Sequence, residues 1–544
     1  MTAASAELAG ISPTVYRRRW WILVALCLSL LIIFVGNTSL NVAIPTLSRE
    51  LHATESQLQW VIAAYSLVFA GLLFTAGAIG DRFGRKGALQ FGLVVFLIAC
   101  VGATLSHSTW QLIACRGLMG VGAAFIMPST LSILVNVFPP DERTKAISAW
   151  AAVAGCAGLI GPVASGFLLT HFWYGSVFLV NIPIVTAAFV AGWFLLPKSR
   201  DPEEAQLDPL GSILSIIGIV SIVYGLIEAP DKGWTSTPTL IAFGVGFSVL
   251  AAFVLWELHT REPMLDMRYF KNPAFSTGTG GMVLIFMSMF GVMFLVTQYL
   301  QLVRGYTPLG AAVRLLPNAP LMILIAPLTP RLSTRFGAHK TVATGMVFVG
   351  TGLFLLRALD LNTPFPFILF ALCTSTTGFA LAMSPMTASI MSAVPPRRAG
   401  AGSATNDAAR ELGAALGVAV MGSIAASKYT TAIDPITAEL PARAREAARG
   451  SIAGAVRVAD SLPAGAGRVL RAGADLAFVS GLHLAVGVGG LLAFSAAVII
   501  YRFFPHVVAH EGAMAGPRAA MEDAAELGLG GIPPVFADQP AVGP

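Results

Sequence analysis

Fourteen apolar runs, separated by short polar connections, constrain this chain more than any other feature. Each run has about the 20 residues that a helix needs to cross about 30 Å of hydrocarbon. Because unpaired backbone amides and carbonyls are costly in lipid, such runs form helices. We number these helices span 1 to span 14. Their predicted ranges are 20–43, 58–80, 88–106, 110–137, 146–169, 174–196, 210–228, 238–257, 276–300, 308–329, 340–358, 364–392, 401–425 and 476–502. The chain is therefore predicted to be an all-α polytopic membrane protein.

The composition supports this prediction. Of the 544 residues 56% are hydrophobic and 11% are charged, against about 25% charged in a soluble domain. The 5 cysteines lie inside the apolar runs and follow no metal-binding spacing, so we interpret them as small buried side chains. A net charge of +6 could indicate a nucleic-acid partner, but the bases occur as pairs and triplets between spans. That pattern is typical of membrane orientation.

The distribution of Lys and Arg predicts the orientation. With the N-terminus inside, the short inner connections hold eighteen of these bases, whereas the short outer ones hold only Arg49, Lys232 and Arg304. Positively charged loops stay in the cytoplasm, so both termini are predicted to be cytoplasmic in the inner (plasma) membrane. The loop 426–475 falls outside with seven bases and five acids, which long loops tolerate.

Two short sequences recur in the same order. DRFGRK (81–86) after span 2 is echoed by TRFGAHK (334–340) after span 10, and VFPPDERTKA (137–146) is echoed by AVPPRRAGA (393–401). The recurrence predicts a duplication, and related halves around a central site are the architecture of secondary transporters. The predicted segments are a cytoplasmic N-terminus 1–19, a six-helix half 20–197, connectors with two inserted helices 198–275, a second six-helix half 276–503 and a disordered cytoplasmic tail 504–544.

The sequence GAIGDRFGRKGAL (77–89) resembles the loop signature of the major facilitator superfamily. The matching positions are Gly77, Asp81, Arg82, Gly84, Arg85 and Lys86. LIACRGLMGVGAA (112–124) resembles the span 4 motif of this family, with Arg116 as its arginine. AGLIGPVASG (157–166) resembles its antiporter motif in span 5. The matching residues there are Gly158, Gly161, Pro162 and Gly166, whereas Ser165 replaces a usual glycine.

NTSLNVAIPTL (37–47) and NDAARELGAALG (406–417) are similar to the fourteen-span drug:proton antiporter branch of that family, the EmrB/QacA type. The resemblance covers about residues 15–502 and implies the major facilitator fold. One position departs from the branch, because Gly36 stands where an aspartate of span 1 usually precedes this motif.

The resemblance implies a gating role for the loop after span 2. By family analogy Asp81 lies against the N-terminus of span 13, near residues 400–403, where a helix dipole stabilises an anion by up to about 2 kcal/mol. Such a contact exists only while the inner side is closed, so it would stabilise the outward-facing state. Arg82, Arg85 and Lys86 would hold the loop at anionic lipid headgroups. The alternative is that these bases only fix topology.

Candidates for proton coupling and the cavity lie inside the spans. Arg116 is expected to line the central cavity, unless it extends to the outer surface. Asp407, Arg410 and Glu411 share one face of span 13, with Arg410 able to pair with either acid. Without an acid at Gly36, span 1 offers only Asn37 and Asn41, so Glu411 is the predicted proton carrier. The alternative for the group in span 13 is a fixed ion pair that stabilises the inner gate.

The glycines and the proline of span 5 predict a bendable helix of low bulk that acts as a gate, with plain close packing as the alternative. The sequence contains no G-x-x-x-x-G-K-[ST], G-x-S-x-G or H-E-x-x-H motif. We therefore expect no ATP-hydrolysing module, no metal, no cofactor and no enzymatic activity.

The expected function is proton-motive-force-driven export of amphipathic or cationic small molecules by a monomer, through alternating access of the two halves. Alternatives are a dedicated exporter of one endogenous metabolite or antibiotic, facilitated diffusion, and a non-transporting membrane sensor or enzyme.

Overall fold

A computed structural model describes residues 12–197, 199, 207–395 and 399–505 of the chain. The described residues form helices and no strands. Fourteen helices are long and apolar enough to cross a membrane, as predicted. They are Pro13–Glu50, Glu55–Phe83, Arg85–Thr104, Thr109–Val137, Lys145–His171, Ser176–Leu195, Pro209–Lys232, Thr237–His259, Pro273–Val303, Pro308–Phe336, Ala338–Ala358, Phe365–Ser392, Gly400–Thr437 and Ala464–Phe503. The predicted tail lies outside the described residues from 506 onward, and so do residues 1–11 of the predicted N-terminal segment.

Local sequence signals set the helix ends. Span 2 begins at a capping box in which Thr54 and Gln57 bond each other's backbone amides. Ser108 caps span 4 through the backbone amide of Gln111. Pro273 occupies the first turn of span 9, where a missing amide hydrogen costs nothing. These caps satisfy helix ends close to the predicted span boundaries.

The ends of the spans form two faces. We call the face that carries the start of span 1 and the turn after span 2 the basic face. There the Arg19 Nε lies 2.6 Å from the Glu142 Oε2, just before span 5. The hydrogen bond from Arg19 lowers the pKa of the Glu142 carboxyl below its usual value. The opposite face, the loop face, carries residues 438–463 between the last two spans. Two helices that we call the outer-loop helices, Ala442–Gly450 and Ile452–Ser461, lie in this segment.

The repeated turns adopt matching conformations. Gly84 ends span 2 and begins span 3 with φ 121°, and Gly337 does the same between spans 10 and 11 with φ 91°. Both values lie in a region that residues with a side chain rarely adopt. The Arg82 guanidinium lies 5.4 Å from the Phe83 ring centroid, and the same distance separates Arg335 from Phe336. The two halves therefore share their turn as well as its sequence.

Glycines also produce the same helix crossing in both halves. A Cβ atom added to Gly92 of span 3 would lie 2.8 Å from the carbonyl oxygen of Gly122 in span 4, and the reverse distance is also 2.8 Å. In the second half, a Cβ atom on Gly345 of span 11 would lie 2.7 Å from the carbonyl oxygen of Gly378 in span 12. The backbones touch at these crossings, which is how small residues bring membrane helices together.

The two inserted helices belong to neither half. Span 7 packs against span 2 of the first half and span 13 of the second, and span 8 packs on span 7. A small apolar cluster joins the three helices, and it comprises Ala63, Leu67, Val223, Ile227, Ala415 and Ala419. One side of the junction between the halves is therefore covered by span 7.

The largest departures from the predicted boundaries occur in spans 1, 10, 13 and 14, and span 1 runs over Pro13–Glu50 instead of 20–43. Spans 13 and 14 extend into the predicted loop 426–475, which shortens to 438–463, because its Ala-rich polar sequence favours a helix. Span 10 is interrupted into Pro308–Leu315, Asn318–Ile325 and Thr329–Phe336, because its prolines remove helix hydrogen bonds. Span 5, in contrast, runs as one helix through Pro162.

A bulky residue at a glycine crossing should destabilise the protein. Gly122→Val places methyl groups against the span 3 backbone, and overpacking costs about 1–3 kcal/mol. We expect a lower Tm for this variant in detergent, measured by size-exclusion chromatography after heating. The control is Gly244→Val in span 8, where an added Cβ meets nothing within 4 Å. Equal Tm values for the two variants would contradict the close crossing.

Candidate functional site

A hydrogen bond joins the two halves near the middle of span 2. The Ser66 hydroxyl of span 2 donates to Glu411 Oε2 of span 13 at 2.7 Å. Ser66 lies eleven residues after Glu55, or about 16 Å along the helix at 1.5 Å per residue. The predicted proton carrier thus lies at the junction of the halves, and its partner Ser66 was not predicted.

Arg116 of span 4 is fully buried in the first half. Its Nε donates to the carbonyl oxygen of Val61 at 3.1 Å, and its Nη1 donates to that of Gly36 at 3.4 Å. The guanidinium carbon lies 4.4 Å from the Tyr65 ring centroid, while Nη2 has no hydrogen-bond partner among the described residues. Arg116 therefore does not extend to the outer surface, which was the alternative interpretation.

No hydrogen bond joins Arg116 to Glu411 in the described residues, and the Arg116 Nε and Nη1 bond backbone carbonyls instead. The carbonyl of Gly36 accepts a bond from Arg116 at the position where the branch usually has an acid. Arg116 also contacts the ring of Tyr65, the neighbour of Ser66 in span 2, so the guanidinium lies in the same region as the Ser66–Glu411 bond.

The other charged residues of span 13 form a separate pair. Arg410 Nη1 lies 3.4 Å from Asp407 Oδ1, so of its two predicted partners Arg410 bonds Asp407. Its guanidinium carbon also lies 5.1 Å from the Phe286 ring centroid and 5.9 Å from that of Phe34. Arg410 therefore contacts aromatic rings from both halves beside the central junction.

Asn37 and Asn41 are each 7% exposed, and their Oδ1 atoms have no partner among the described residues. The Tyr65 hydroxyl is also buried without a hydrogen-bond partner among the described residues. Buried polar atoms of this kind normally bond water or ligand. The predicted polar positions of span 1 thus retain acceptors that substrate or water can use.

The loop after span 2 bonds to its own half. The Arg85 Nε donates to Asp81 Oδ1 at 2.7 Å, and the Ser132 hydroxyl donates to the same oxygen at 3.4 Å. Lys86 Nζ donates to the carbonyl oxygens of Trp193 and Leu196 at the end of span 6. Lys86 therefore holds the turn against span 6, and Arg85 holds Asp81 within the turn.

The predicted contact of Asp81 with span 13 is not formed in this conformation, as far as the described residues extend. The hydrogen bonds to Asp81 come from Arg85 and Ser132, and a Cβ atom on Gly400 would meet nothing within 4 Å. A contact that requires a closed basic face is consistent with this separation. Gly77, in the same motif, packs on Pro128 of span 4, with 3.6 Å from its added Cβ to the proline Cβ.

The span 5 motif performs two packing tasks. An added Cβ on Gly161 would collide with the Thr38 hydroxyl of span 1, whose neighbour Ser39 donates to the Gly161 carbonyl at 3.0 Å. The Ser165 hydroxyl, at the position of a usual glycine, donates to the Ser39 carbonyl at 2.8 Å. Gly161 and Ser165 therefore fix span 5 on span 1.

Gly166 faces the other half instead. An added Cβ there would lie 2.9 Å from the Leu309 Cα of span 10, whereas an added Cβ on Gly158 would meet nothing within 4 Å. The three glycines of the motif thus differ in what they pack against. Gly166 allows the two halves to close at the loop face.

Further contacts join the halves from the centre to the loop face. Gln301 of span 9 donates to the Val42 carbonyl at 2.9 Å, and Gln298 donates to Glu55 at 2.9 Å. Arg457 of the outer-loop helices donates to the Ser48 carbonyl at 2.7 Å. Within the described residues, the hydrogen bonds between the halves cluster in this region, so the structure is closed at the loop face.

Two repeated six-helix halves that meet at a buried polar centre and are closed at one face define a secondary transporter. The chain belongs to the Major Facilitator Superfamily, whose sequence profile matches residues 26–418.

Several relatives share most of this length. The multidrug efflux pump LfrA of Mycolicibacterium smegmatis is 33% identical over 89% of this chain and 96% of its own. The tetracenomycin C resistance and export protein of Streptomyces glaucescens is 32% identical over 92% and 95%. The methyl viologen resistance protein SmvA of Salmonella typhimurium is 33% identical over 88% and 97%.

Solved structures share the fold. A bacterial homologue of the human lysosomal transporter Spinster, in an inward-facing and unoccupied conformation, superposes with a TM-score of 0.63 at 18% identity. The match covers 91% of this chain and 99% of that one. A peptide transporter in complex with sulfate gives a TM-score of 0.58 at 14% identity, over 89% and 95% of the chains.

Filling the gap at Gly166 should open the loop face. Gly166→Leu prevents the close approach of span 10, so a cysteine introduced at Gln301 should react several-fold faster with an impermeant thiol reagent. The measurement uses a background without the native cysteines. Gly158→Leu is the matched control and should leave the rate unchanged. A similar increase in both variants would indicate that the motif serves general packing only.

Proposed function

We propose that this protein exports amphipathic or cationic small molecules in exchange for protons, by alternating access of the halves 20–197 and 276–503. The Ser66–Glu411 hydrogen bond is the observation that carries the proposal. This bond joins a carboxyl of span 13, in one half, to a donor near the middle of span 2, in the other half. A change in the charge of Glu411 therefore changes the contact between the halves.

The strength of that contact depends on what Glu411 binds. An ionised carboxylate accepts a hydrogen bond worth about 1.5–3 kcal/mol, and a neutral carboxyl one worth about 0.5–1.5 kcal/mol. The difference of about 1 kcal/mol changes a two-state ratio about fivefold. Ionised Glu411, held by Ser66 and attracted by Arg116, stabilises the conformation closed at the loop face.

Exchange follows from this competition. A cationic substrate that pairs with Glu411 weakens its contacts with Ser66 and Arg116, and the halves can then reorient. On the other face a proton displaces the substrate, and the neutral carboxyl permits the return. A Glu411 carboxylate that has bound neither substrate nor proton keeps its contacts with Ser66 and Arg116. The unloaded carrier therefore resists reorientation, and uncoupled leakage is limited.

The buried surroundings support a cationic or amphipathic substrate. Arg410 is paired with Asp407, which leaves Glu411 without a bonded cation of its own, and Phe34 and Phe286 provide aromatic surface nearby. Aromatic faces and carboxylates attract organic cations. The multidrug and methyl viologen relatives favour this class. The tetracenomycin C relative favours the second candidate, a dedicated exporter of one compound.

Gating is proposed to involve the loop after span 2. When the basic face closes, Asp81 would approach the N-terminus of span 13 and exchange part of its contact with Arg85 for the helix dipole. Arg82, Arg85 and Lys86 would keep the turn at the membrane surface. The working unit is proposed to be a monomer that does not modify its substrate chemically.

Neutralising Glu411 tests the coupling. Glu411→Gln keeps the shape of the side chain but cannot gain or lose a proton. Export of ethidium from proteoliposomes driven by a pH gradient should fall to the level of empty liposomes. Ethidium exchange without a gradient should persist, but with weaker binding, because the carboxamide no longer attracts the cation. Asp407→Asn, which removes the partner of Arg410, should have a milder effect. Full gradient-driven export by Glu411→Gln would place the proton elsewhere or exclude proton coupling.

The inner (plasma) membrane is the proposed location, with the basic face in the cytoplasm, since that face carries most of the Lys and Arg. A cysteine in place of Glu446 in the outer-loop helices should react with an impermeant thiol reagent in intact cells. A cysteine in place of Arg261, in the connector after span 8, should react only after permeabilisation. Labelling of both in intact cells would contradict this orientation.

A further inference from the structure

A small pocket lies beneath the outer-loop helices, at the junction of the two halves. Residues of spans 2, 7, 13 and 14 and of the outer-loop helices surround it. The free space is narrow, with room for about one water-sized group. An amphipathic drug does not fit in it, whereas a small ion does.

Two carboxylates line this pocket. Glu55 of span 2 accepts a hydrogen bond from Gln298 Nε2 at 2.9 Å, and Asp231 of span 7 accepts one from the Ser56 hydroxyl at 2.7 Å. Neither acid forms a hydrogen bond or ion pair with a Lys or Arg among the described residues. When ionised, these two carboxylates are therefore not neutralised by a bonded Lys or Arg within the described residues.

Gln59, which also lines the pocket, supplies independent evidence of a missing ligand. It is 0% exposed, and neither its Oε1 nor its Nε2 has a hydrogen-bond partner in the described part of the chain. A buried carboxamide without partners costs free energy unless water or a ligand satisfies it. An amide oxygen beside carboxylates is a suitable ligand for a hard cation.

Within the described residues, Arg449 is the one Lys or Arg that lines the pocket. Its Nη1 lies 3.2 Å from Asp434 Oδ1, an oxygen that Arg445 also contacts at 2.9 Å. Tyr429 of span 13 uses its hydroxyl to donate to the Ala448 carbonyl at 2.9 Å. The two acids therefore outnumber the base that lines the pocket, and this balance favours a cation.

We propose that this pocket binds a sodium ion, held by Glu55, Asp231 and the Gln59 carboxamide oxygen, and that the bound ion stabilises closure of the loop face. Glu55 and Gln59 belong to the first half, and Glu55 is bonded to Gln298 of the second. A cation bound between Glu55 and Asp231 removes the repulsion between these two carboxylates, which would otherwise oppose closure. The inference builds on the alternating-access part of the proposed function and adds a second ligand at a second site.

The test measures closure of the loop face in the full-length protein reconstituted in liposomes. The reporter is the reactivity of a cysteine at Gln301 with an impermeant thiol reagent, in the background without native cysteines. Sodium chloride is compared with N-methylglucamine chloride at constant pH and ionic strength. Binding to one state multiplies the closed-to-open ratio by one plus the ratio of ligand to Kd, so labelling should slow about tenfold at ten times Kd.

Glu55→Gln and Gln59→Leu should abolish the sodium effect. Glu228→Gln is the matched control, because Glu228 lies in the same outer turn of span 7, pairs with Lys232 at 3.0 Å and does not line the pocket. The control should respond to sodium as the unmodified protein does. Equal labelling rates in sodium chloride and in N-methylglucamine chloride would overturn the proposal. So would a sodium effect that survives Glu55→Gln.

Protonation is the competing explanation and has its own result. If lowering the pH without sodium closes the loop face, and sodium adds nothing at any pH, then Glu55 binds a proton and the sodium site is refuted. Glu411→Gln separates this site from the proposed coupling. Loss of gradient-driven export together with an intact sodium effect supports both, whereas intact export with an intact sodium effect overturns only the role of Glu411.

Discussion

The cost of an unpaired backbone amide or carbonyl in hydrocarbon is the constraint on which this structure depends. It makes every crossing segment a helix, and it leaves only side chains and helix ends to distinguish one contact from another. Where the helix backbones touch, glycine is required, as at Gly92 with Gly122 and at Gly345 with Gly378. The same crossing in both halves shows that the duplicated sequence preserved a packing geometry along with a loop motif.

The same constraint makes each buried polar group informative. Arg116 uses two backbone carbonyls as acceptors in the first half, including that of Gly36, and it lies on the ring of Tyr65, next to the serine that bonds Glu411. Gly36 supplies no carboxylate to this arginine, and the carboxyl at the junction, Glu411, comes from the second half. Under the proposed function, the charge of Glu411 is therefore linked to the contact between the halves.

The fold was largely predictable from the sequence, because span number, orientation of the repeats and the glycine turns are local properties. Glu411 was also predictable, since it is an acid deep in an apolar run. Ser66 was not, because a serine in a membrane helix commonly bonds its own backbone and only tertiary packing brings it to Glu411. The continuation of spans 13 and 14 into the predicted loop was missed because hydropathy marks an apolar segment and not the end of a helix. The distinct roles of Gly158 and Gly166 depend on the neighbouring helix, which the motif does not specify.

Span 7 affects the mechanics of the molecule as a whole. It packs on spans 2 and 13 at once, so a rigid rotation of the halves that preserves both contacts must have its axis close to span 7. Displacement then grows with distance from that axis and is largest on the opposite side, where spans 5 and 10 meet. The junction therefore opens as a wedge rather than as a slot of even width, and the narrow end of the wedge is the side that the inserted helices cover.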